Sequence, residues 1–289
     1  MKFTVSAAFL AFDELVPVAR CADELGYSAL ALVDHLVHFD QVATAYPYSE
    51  DGQRPWTAES EWPDPWVVFG ALGMVTSRLR FFTSIYVPAL RSPFQVAKAV
   101  GTASLLTGGR VSLGAGVGWC REEFELVGES FQDRGRRTDE ALDLISRLWG
   151  PGWTQQDGGF YPTPPVAMNP RPTARIPVLI GGLSEVAMRR AARHDGWVGD
   201  LCTTDQAIER AQRLSTLQAE AGDSRPLDVI VSLTDAFLPS EFRRAEAGGV
   251  TGVMTMPWVY YYGLECSVEE KQEGLRRFHR QVVRKVDGS

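Results

Sequence analysis

A closed (β/α)8 TIM barrel with insertions is the fold the sequence predicts, and three observations predict it. Short apolar runs alternate with amphipathic segments along the whole chain, which is the βαβα pattern of a parallel sheet. Eight such runs occur, each followed by a helical segment, and eight parallel strands close most naturally into a barrel. The 289 residues are enough for one large domain, and no repeat or low-complexity tract argues otherwise. Residues 1–289 are therefore read as a single domain.

The elements follow in order. Phe3 to Ala8 is the first strand, and Phe12, Leu15, Val16, Ala19, Ala22 and Leu25 share one helical face that ends at Gly26. Ala29 to Val33 is the second strand, ending at Asp34-His35. The span from His38 to Pro63 is irregular and rich in aromatic, proline and charged residues; a loop that long suggests a lid over a site. Asp64-Pro65 supplies an N-cap and first-turn proline for a helix through Val75. Arg80 to Val87 is the third strand, and Ser92-Pro93 opens the next helix by the same device.

Arg110 to Leu113 is the fourth strand, followed by Gly114, Gly116 and Gly118 and by a helix start at Trp119-Cys120-Arg121-Glu122-Glu123. Ala141, Leu142, Ile145, Leu148 and Trp149 give the long helix its apolar stripe. Gly150 to Ile176 is a second excursion with a small hairpin expected near Phe160-Tyr161. Pro177 to Ile180 is the fifth strand and leads through Gly181-Gly182-Leu183-Ser184 into a helix. Trp197-Val198, Leu227 to Leu233 and Val250 to Met256 complete the eight, with helices at Gln206 to Ala221, near Ser240 to Ala247 and around Leu275, Phe278 and Val282.

Composition narrows the function. A hydrophobic content of 45% and a charged content of 22% are ordinary for a soluble enzyme, and a net charge of −7 argues against nucleic acid or an anionic membrane as partner. An anionic ligand must then find local positive potential. Cys21, Cys120, Cys202 and Cys266 lie far apart, which suggests neither a zinc site nor a disulfide framework, and a reducing cytoplasm is the expected location. The apolar run from Phe3 faintly resembles a signal sequence, but it is short and leads into Asp13-Glu14, so a buried strand is the better reading. No run reaches the length of a membrane span.

Barrel chemistry is expected in the loops after the strands. There the bend from Gly114 to Trp119 can turn backbone N–H groups toward an anion, because glycine lets a ligand approach and permits positive φ. Its spacing is G-x-G-x-G, not the G-x-G-x-x-G of a dinucleotide fold, and Asp133 starts a helix where that fold needs an acid ending a strand. A purely structural bend stays open as the alternative. Gly181 to Ser184 is a second candidate anion site, although Ser is also a preferred helix cap.

His35 is the best candidate for proton chemistry, with Asp34 beside it; alternation on a strand means the two need not touch, and a structural histidine is the competing reading. His194 and His279 read as structural or solvated. Trp56, Trp62 and Trp66 can wall a flat ligand or pack the long loop. No H-x-H, H-E-x-x-H or paired acidic set suggests a metal, and no G-x-S-x-G elbow suggests a serine hydrolase.

Taken together, VDH at Val33 to His35, SRLRFFTSIYVPALRSP from Ser77, LLTGGRVSLGAGVGWCREEFE from Leu105, RGRRTDEALDLISRLW from Arg134 and PVLIGGLSEVAMRRAARHDGW from Pro177 resemble the luciferase-like monooxygenase superfamily, in its F420-dependent oxidoreductase branch. The resemblance covers nearly the whole chain. It implies a non-proline cis peptide at Ser84-Ile85 behind the ring system, with Asp34 and His35 near the reactive face. It also implies that Gly116, Val117, Gly118 and Trp119, with Gly181, Gly182, Leu183 and Ser184, hold a phosphate-bearing tail. Two departures stand out: Trp119 replaces a catalytic Glu of the sugar-phosphate dehydrogenases, and Thr203-Thr204 replace their phosphate-binding lysines. The expected cofactor is F420, with FMN in a two-component flavin monooxygenase as the alternative and a non-catalytic deazaflavin- or flavin-binding protein as a reading of another class. A small-molecule substrate is implied, and the resemblance leaves room for a homodimer and for a flavin or F420 reductase as functional partner.

Overall fold

The computed structural model describes residues 1–288. Eight parallel strands close a barrel in the order β1-β10-β9-β8-β7-β4-β3-β2, with β5 and β6 as a separate two-stranded sheet. The strands are β1 (Lys2–Ser6), β2 (Ala29–Leu32), β3 (Arg80–Thr83), β4 (Val111–Ala115), β5 (Thr154–Gln156), β6 (Thr163–Val166), β7 (Val178–Gly181), β8 (Gly196–Cys202), β9 (Asp228–Leu233) and β10 (Gly252–Thr255). The main helices outside it are α1 (Leu15–Leu25), α2 (Pro65–Gly73), α3 (Pro93–Leu106), α4 (Arg121–Leu126), α5 (Arg134–Trp149), α6 (Glu185–Ala191), α7 (Thr204–Glu220), α8 (Pro239–Ala247), α9 (Val259–Tyr262) and α10 (Val268–Phe278).

Strand alternation divides the core in two. Ala29, Ala31, Phe82, Leu179, Val198, Ile230 and Met254 fill the barrel interior. The residues one position away, such as Leu30, Phe81, Leu113, Ile180, Trp197 and Val231, pack outward against the helices. Each buried side chain of this size contributes about 1.5–3 kcal/mol relative to exposure.

Local chemistry sets the helix ends. The Asp64 carboxylate accepts from Trp66 N at 2.9 Å and Val67 N at 3.1 Å, so the expected cap of α2 is present. Pro93 occupies the first turn of α3 as expected, but the Ser92 side chain makes no capping bond. α1 stops at Gly26, whose φ of 84° places it in the left-handed region. The small hairpin pairs Thr154 with Val166 around Phe160-Tyr161.

The third strand differs from expectation: it leaves the ladder after Thr83 instead of running to Val87, and Pro88–Leu90 forms a short 3-10 turn. The Ser84–Ile85 peptide at that point is cis, where the family resemblance placed it. The sixth barrel strand is longer than expected, with an irregular register between Val198 and Leu201. No helix among the described residues is long and apolar enough to cross a membrane, and no group of three or more potential metal ligands is found among them.

Candidate active site at the C-terminal mouth of the barrel

Alternation past the end of β2 sends Asp34 and His35 to opposite sides. The Asp34 carboxylate lies outside the barrel, where it accepts from Arg91 Nη1 at 2.8 Å and Nη2 at 2.7 Å, and more weakly from Val87 N at 3.3 Å. Its side chain is only 3% exposed, and burial pushes its pKa up against the pull of Arg91. The Arg91 guanidinium lies 4.3 Å from the Tyr86 ring centroid. Asp34, expected beside His35 near the reactive face, is thus paired with Arg91 on the other side of the strand end. Both oxygens take part in an ion pair that ties the end of β2 to the segment after β3.

His35 faces the other way, into an aromatic enclosure. Its ring stacks on Trp62 at 4.6 Å and 26°, tilts against Trp56 at 5.3 Å and meets the edge of Trp119 at 6.0 Å. His35 Nδ1 lies 3.2 Å from Glu123 Oε1, which also accepts from Leu36 N at 2.8 Å. Glu123, 3% exposed, comes from the first turn of α4, 88 residues downstream.

The loop from 38 to 63 lies over this enclosure and is tied down by named bonds. Glu122 Oε1 accepts from Ala43 N at 2.7 Å and Thr44 N at 3.1 Å. Burial works to raise the Glu122 carboxyl, but the backbone N–H groups of Glu122, Thr44 and Ala43 outweigh it and bring its pKa down to about 2. Trp62 Nε1 donates to Ala8 O at 3.0 Å, and Arg54 Nη2 to Phe39 O at 2.8 Å. Tyr46 joins the aromatic set at 4.9 Å from Trp56 and 5.2 Å from Trp119. Of the three tryptophans singled out in the sequence, Trp66 does not belong here. It is buried in α2 against Phe69 and Tyr86.

The glycines meet a different neighbour from the one expected. A Cβ on Gly116 would lie 1.7 Å from Ile85 Cδ1, one on Gly181 2.5 Å from Ile85 Cγ2, and one on Gly114 1.8 Å from Thr83 O. The missing side chains thus make room for Ile85 and for the close passage of β3, not for a ligand. The Gly116 N–H is also used, donating to Tyr86 O at 2.8 Å. Its amide is thus taken up within the fold, between the end of β4 and the segment after β3. The Ser84–Ile85 turn is locked between the ends of β4 and β7, and Ser84 N donates to Leu32 O at 2.7 Å beside the strand that carries His35.

The next residues carry backbone N–H groups without an acceptor in the fold. Among the described residues no group accepts from the N–H of Val117, Gly118 or Trp119, nor from those of Gly182, Leu183 and Ser184. Gly118 at φ 79° and Gly182 at φ 118° hold left-handed conformations that turn these amides. Arg121 and Arg134 both lie over the Phe131 ring, 4.5 and 3.8 Å from its centroid, and Arg134 Nε donates to Gly118 O at 3.1 Å. The Ser184 hydroxyl caps α6 by accepting from Ala187 N at 3.2 Å, which is the capping alternative considered from sequence.

Asp200 lies near the end of β8. Burial raises its pKa, and its charge acts on Tyr46 and Tyr48 of the overlying loop. Nearby, Thr203 caps α7 and the Thr204 hydroxyl donates to Asp235 Oδ1 at 2.8 Å. His194 lies elsewhere: it lines a cavity of about 720 Å³ with Arg175, Asp195 and Arg225, at the opposite, N-terminal end of the strands.

The family profile described as luciferase-like monooxygenase matches residues 3–246. An uncharacterized protein of Mycobacterium tuberculosis is 35% identical over 99% of this chain and 100% of its own length. An F420-dependent glucose-6-phosphate dehydrogenase of Kribbella flavida is 30% identical over 64% of this chain and 52% of its own. Among solved structures, the monooxygenase RslO1 from Streptomyces bottropensis has a TM-score of 0.78 at 19% identity, over 99% of both chains. An F420-dependent secondary alcohol dehydrogenase in complex with an F420-acetone adduct has a TM-score of 0.76 at 15% identity, over 98% of both chains. At these identities the two structures establish a common fold.

Proposed function

The chain belongs to the luciferase-like monooxygenase family, and from that premise we propose that it is an F420-dependent oxidoreductase acting on a small organic substrate. The observation that carries the reading is His35: a half-enclosed imidazole at the barrel mouth, held by Glu123 and walled by three tryptophans. The residues present fit a deazaflavin. Ser84 and Ile85 offer a rigid backing wall, since Gly114, Gly116 and Gly181 leave that turn no room to move. The amides of Val117 to Trp119 and Gly182 to Ser184, with Arg121 and Arg134, offer an acidic tail local positive potential in a chain of net charge −7.

When bound, F420 supplies the hydride chemistry at its deazaflavin ring. The protein's own share is orientation, exclusion of water by the aromatic loop, and proton transfer at His35. The relative from Kribbella flavida supports the cofactor by its name. A phosphorylated sugar is disfavoured as substrate here, because Thr203 and Thr204 are committed to helix capping and Asp235. An absorbance assay of F420 reduction and reoxidation, run over uncharged small substrates with glucose 6-phosphate alongside, tests the proposal. Turnover of an uncharged substrate is expected; turnover of glucose 6-phosphate alone would overturn the substrate reading, and none with any substrate would leave a cofactor-binding protein.

A further inference from the structure

We infer that Glu123 is a positioning residue that keeps the proton of neutral His35 on Nδ1 and so leaves Nε2 as the proton acceptor at the mouth. The inference rests on the reading of His35 as the proton-transfer group of the site.

Glu123 Oε1 has two neighbours, Leu36 N at 2.8 Å and His35 Nδ1 at 3.2 Å. A backbone N–H can only donate, so Oε1 is an acceptor on that side, and its remaining lone pair faces the ring. With Glu123 present as a carboxylate, which has no proton to give, the hydrogen between Oε1 and Nδ1 belongs to the imidazole. A neutral ring protonated at Nδ1 carries its lone pair on Nε2. Among the described residues Nε2 has no hydrogen-bond partner, and the His35 side chain retains 18% of its surface exposed.

The ring is also prevented from turning over to exchange its nitrogens. Trp62 covers one face at 4.6 Å and is itself fixed through Nε1 to Ala8 O at 3.0 Å, while Trp56 and Trp119 close the sides. When Nε2 takes a proton from a substrate O–H, that bond breaks as the Nε2–H bond forms, the electron pair stays on the substrate oxygen, and the positive charge on the ring is balanced by the buried carboxylate 3.2 Å from Nδ1. Because the same oxygen binds Leu36 N, Glu123 fixes the backbone next to His35 as well as its ring.

The test is NMR of the full chain carrying 15N-labelled histidine, with the His35 signals identified by their loss in His35→Ala. Wild type should show His35 protonated at Nδ1 and bare at Nε2. Glu123→Gln retains a carbonyl acceptor and should preserve that form, whereas Glu123→Ala should shift His35 toward the Nε2–H form or an average of both. Turnover should fall about 10²-fold in Glu123→Ala and recover in Glu123→Gln to within about tenfold. An Nε2–H tautomer in wild type overturns the inference whether or not the variants fold, and so does a Glu123→Ala spectrum unchanged from wild type. Either result leaves the proposed function standing if His35→Ala still loses turnover; undiminished turnover in His35→Ala would instead sink the role of His35 itself.

Discussion

Ile85 Cδ1 occupies the place a Cβ on Gly116 would take, 1.7 Å from it. The glycine and the isoleucine are therefore complementary halves of one packing contact, and the wall behind the site depends on both. Gly116→Ala should destabilise the protein by about 1–3 kcal/mol through overpacking. Shortening the neighbour should relieve the clash, so Gly116→Ala with Ile85→Ala should be less destabilised than the sum of the single changes, with a coupling of about 0.5–3 kcal/mol by urea denaturation. Simple additivity would show that the two side chains do not compete for that space.

The ion pair of Asp34 and Arg91 is a stability element. Arg91→Met leaves a buried carboxylate without its partner and should cost about 3–5 kcal/mol, whereas replacing both residues with apolar ones of similar volume should cost far less. Thermal unfolding of the two variants separates these outcomes. An Arg91→Met protein as stable as wild type would contradict the structural role assigned to Asp34.

Glu122 makes the hold on the aromatic loop depend on pH in a defined window. Its carboxyl lies near pKa 2 when folded, below the ordinary value of 4.5, so its contribution is full above about pH 4.5 and is lost as pH falls toward 2. Exchange protection of the Ala43 and Thr44 amides should decline across that window in wild type. In Glu122→Gln it should already be reduced at neutral pH, because a charge-assisted bond has been replaced by a weaker neutral one. Equal protection in both proteins at pH 7 would remove Glu122 as the anchor.

His35→Ala should lower turnover by about 10²–10⁴, the range for losing a general acid or base. Steady-state rates of F420 reduction measure this directly. A rate within a few fold of wild type would take His35 out of the chemistry.

The barrel was legible because alternation and helical periodicity are written residue by residue, and all eight strands lie where the apolar runs placed them. The end of β3 was not, since nothing in the run from Arg80 to Val87 marks Thr83 as the last ladder residue. The need for glycine at 114, 116 and 181 was also legible, but its cause was not. A glycine reports that something comes close, and only the fold shows that it is Ile85 or the Thr83 carbonyl. His35 stood out through its ring chemistry. Asp34 drew attention by adjacency in the chain, which a pleated strand converts into separation. Glu123 was missed as its partner because the contact spans 88 residues. The usable signal was its place in the helix after the fourth strand, on the same rim of the barrel as His35.

The central claim is that this mouth recognises a deazaflavin, and equilibrium titration of the purified chain with F420 and with FMN, side by side, tests it most directly. The account predicts micromolar F420 binding, weakened when Arg121 and Arg134 are both replaced by Ala, with no FMN binding under the same conditions. Tight FMN binding without F420 binding would contradict it.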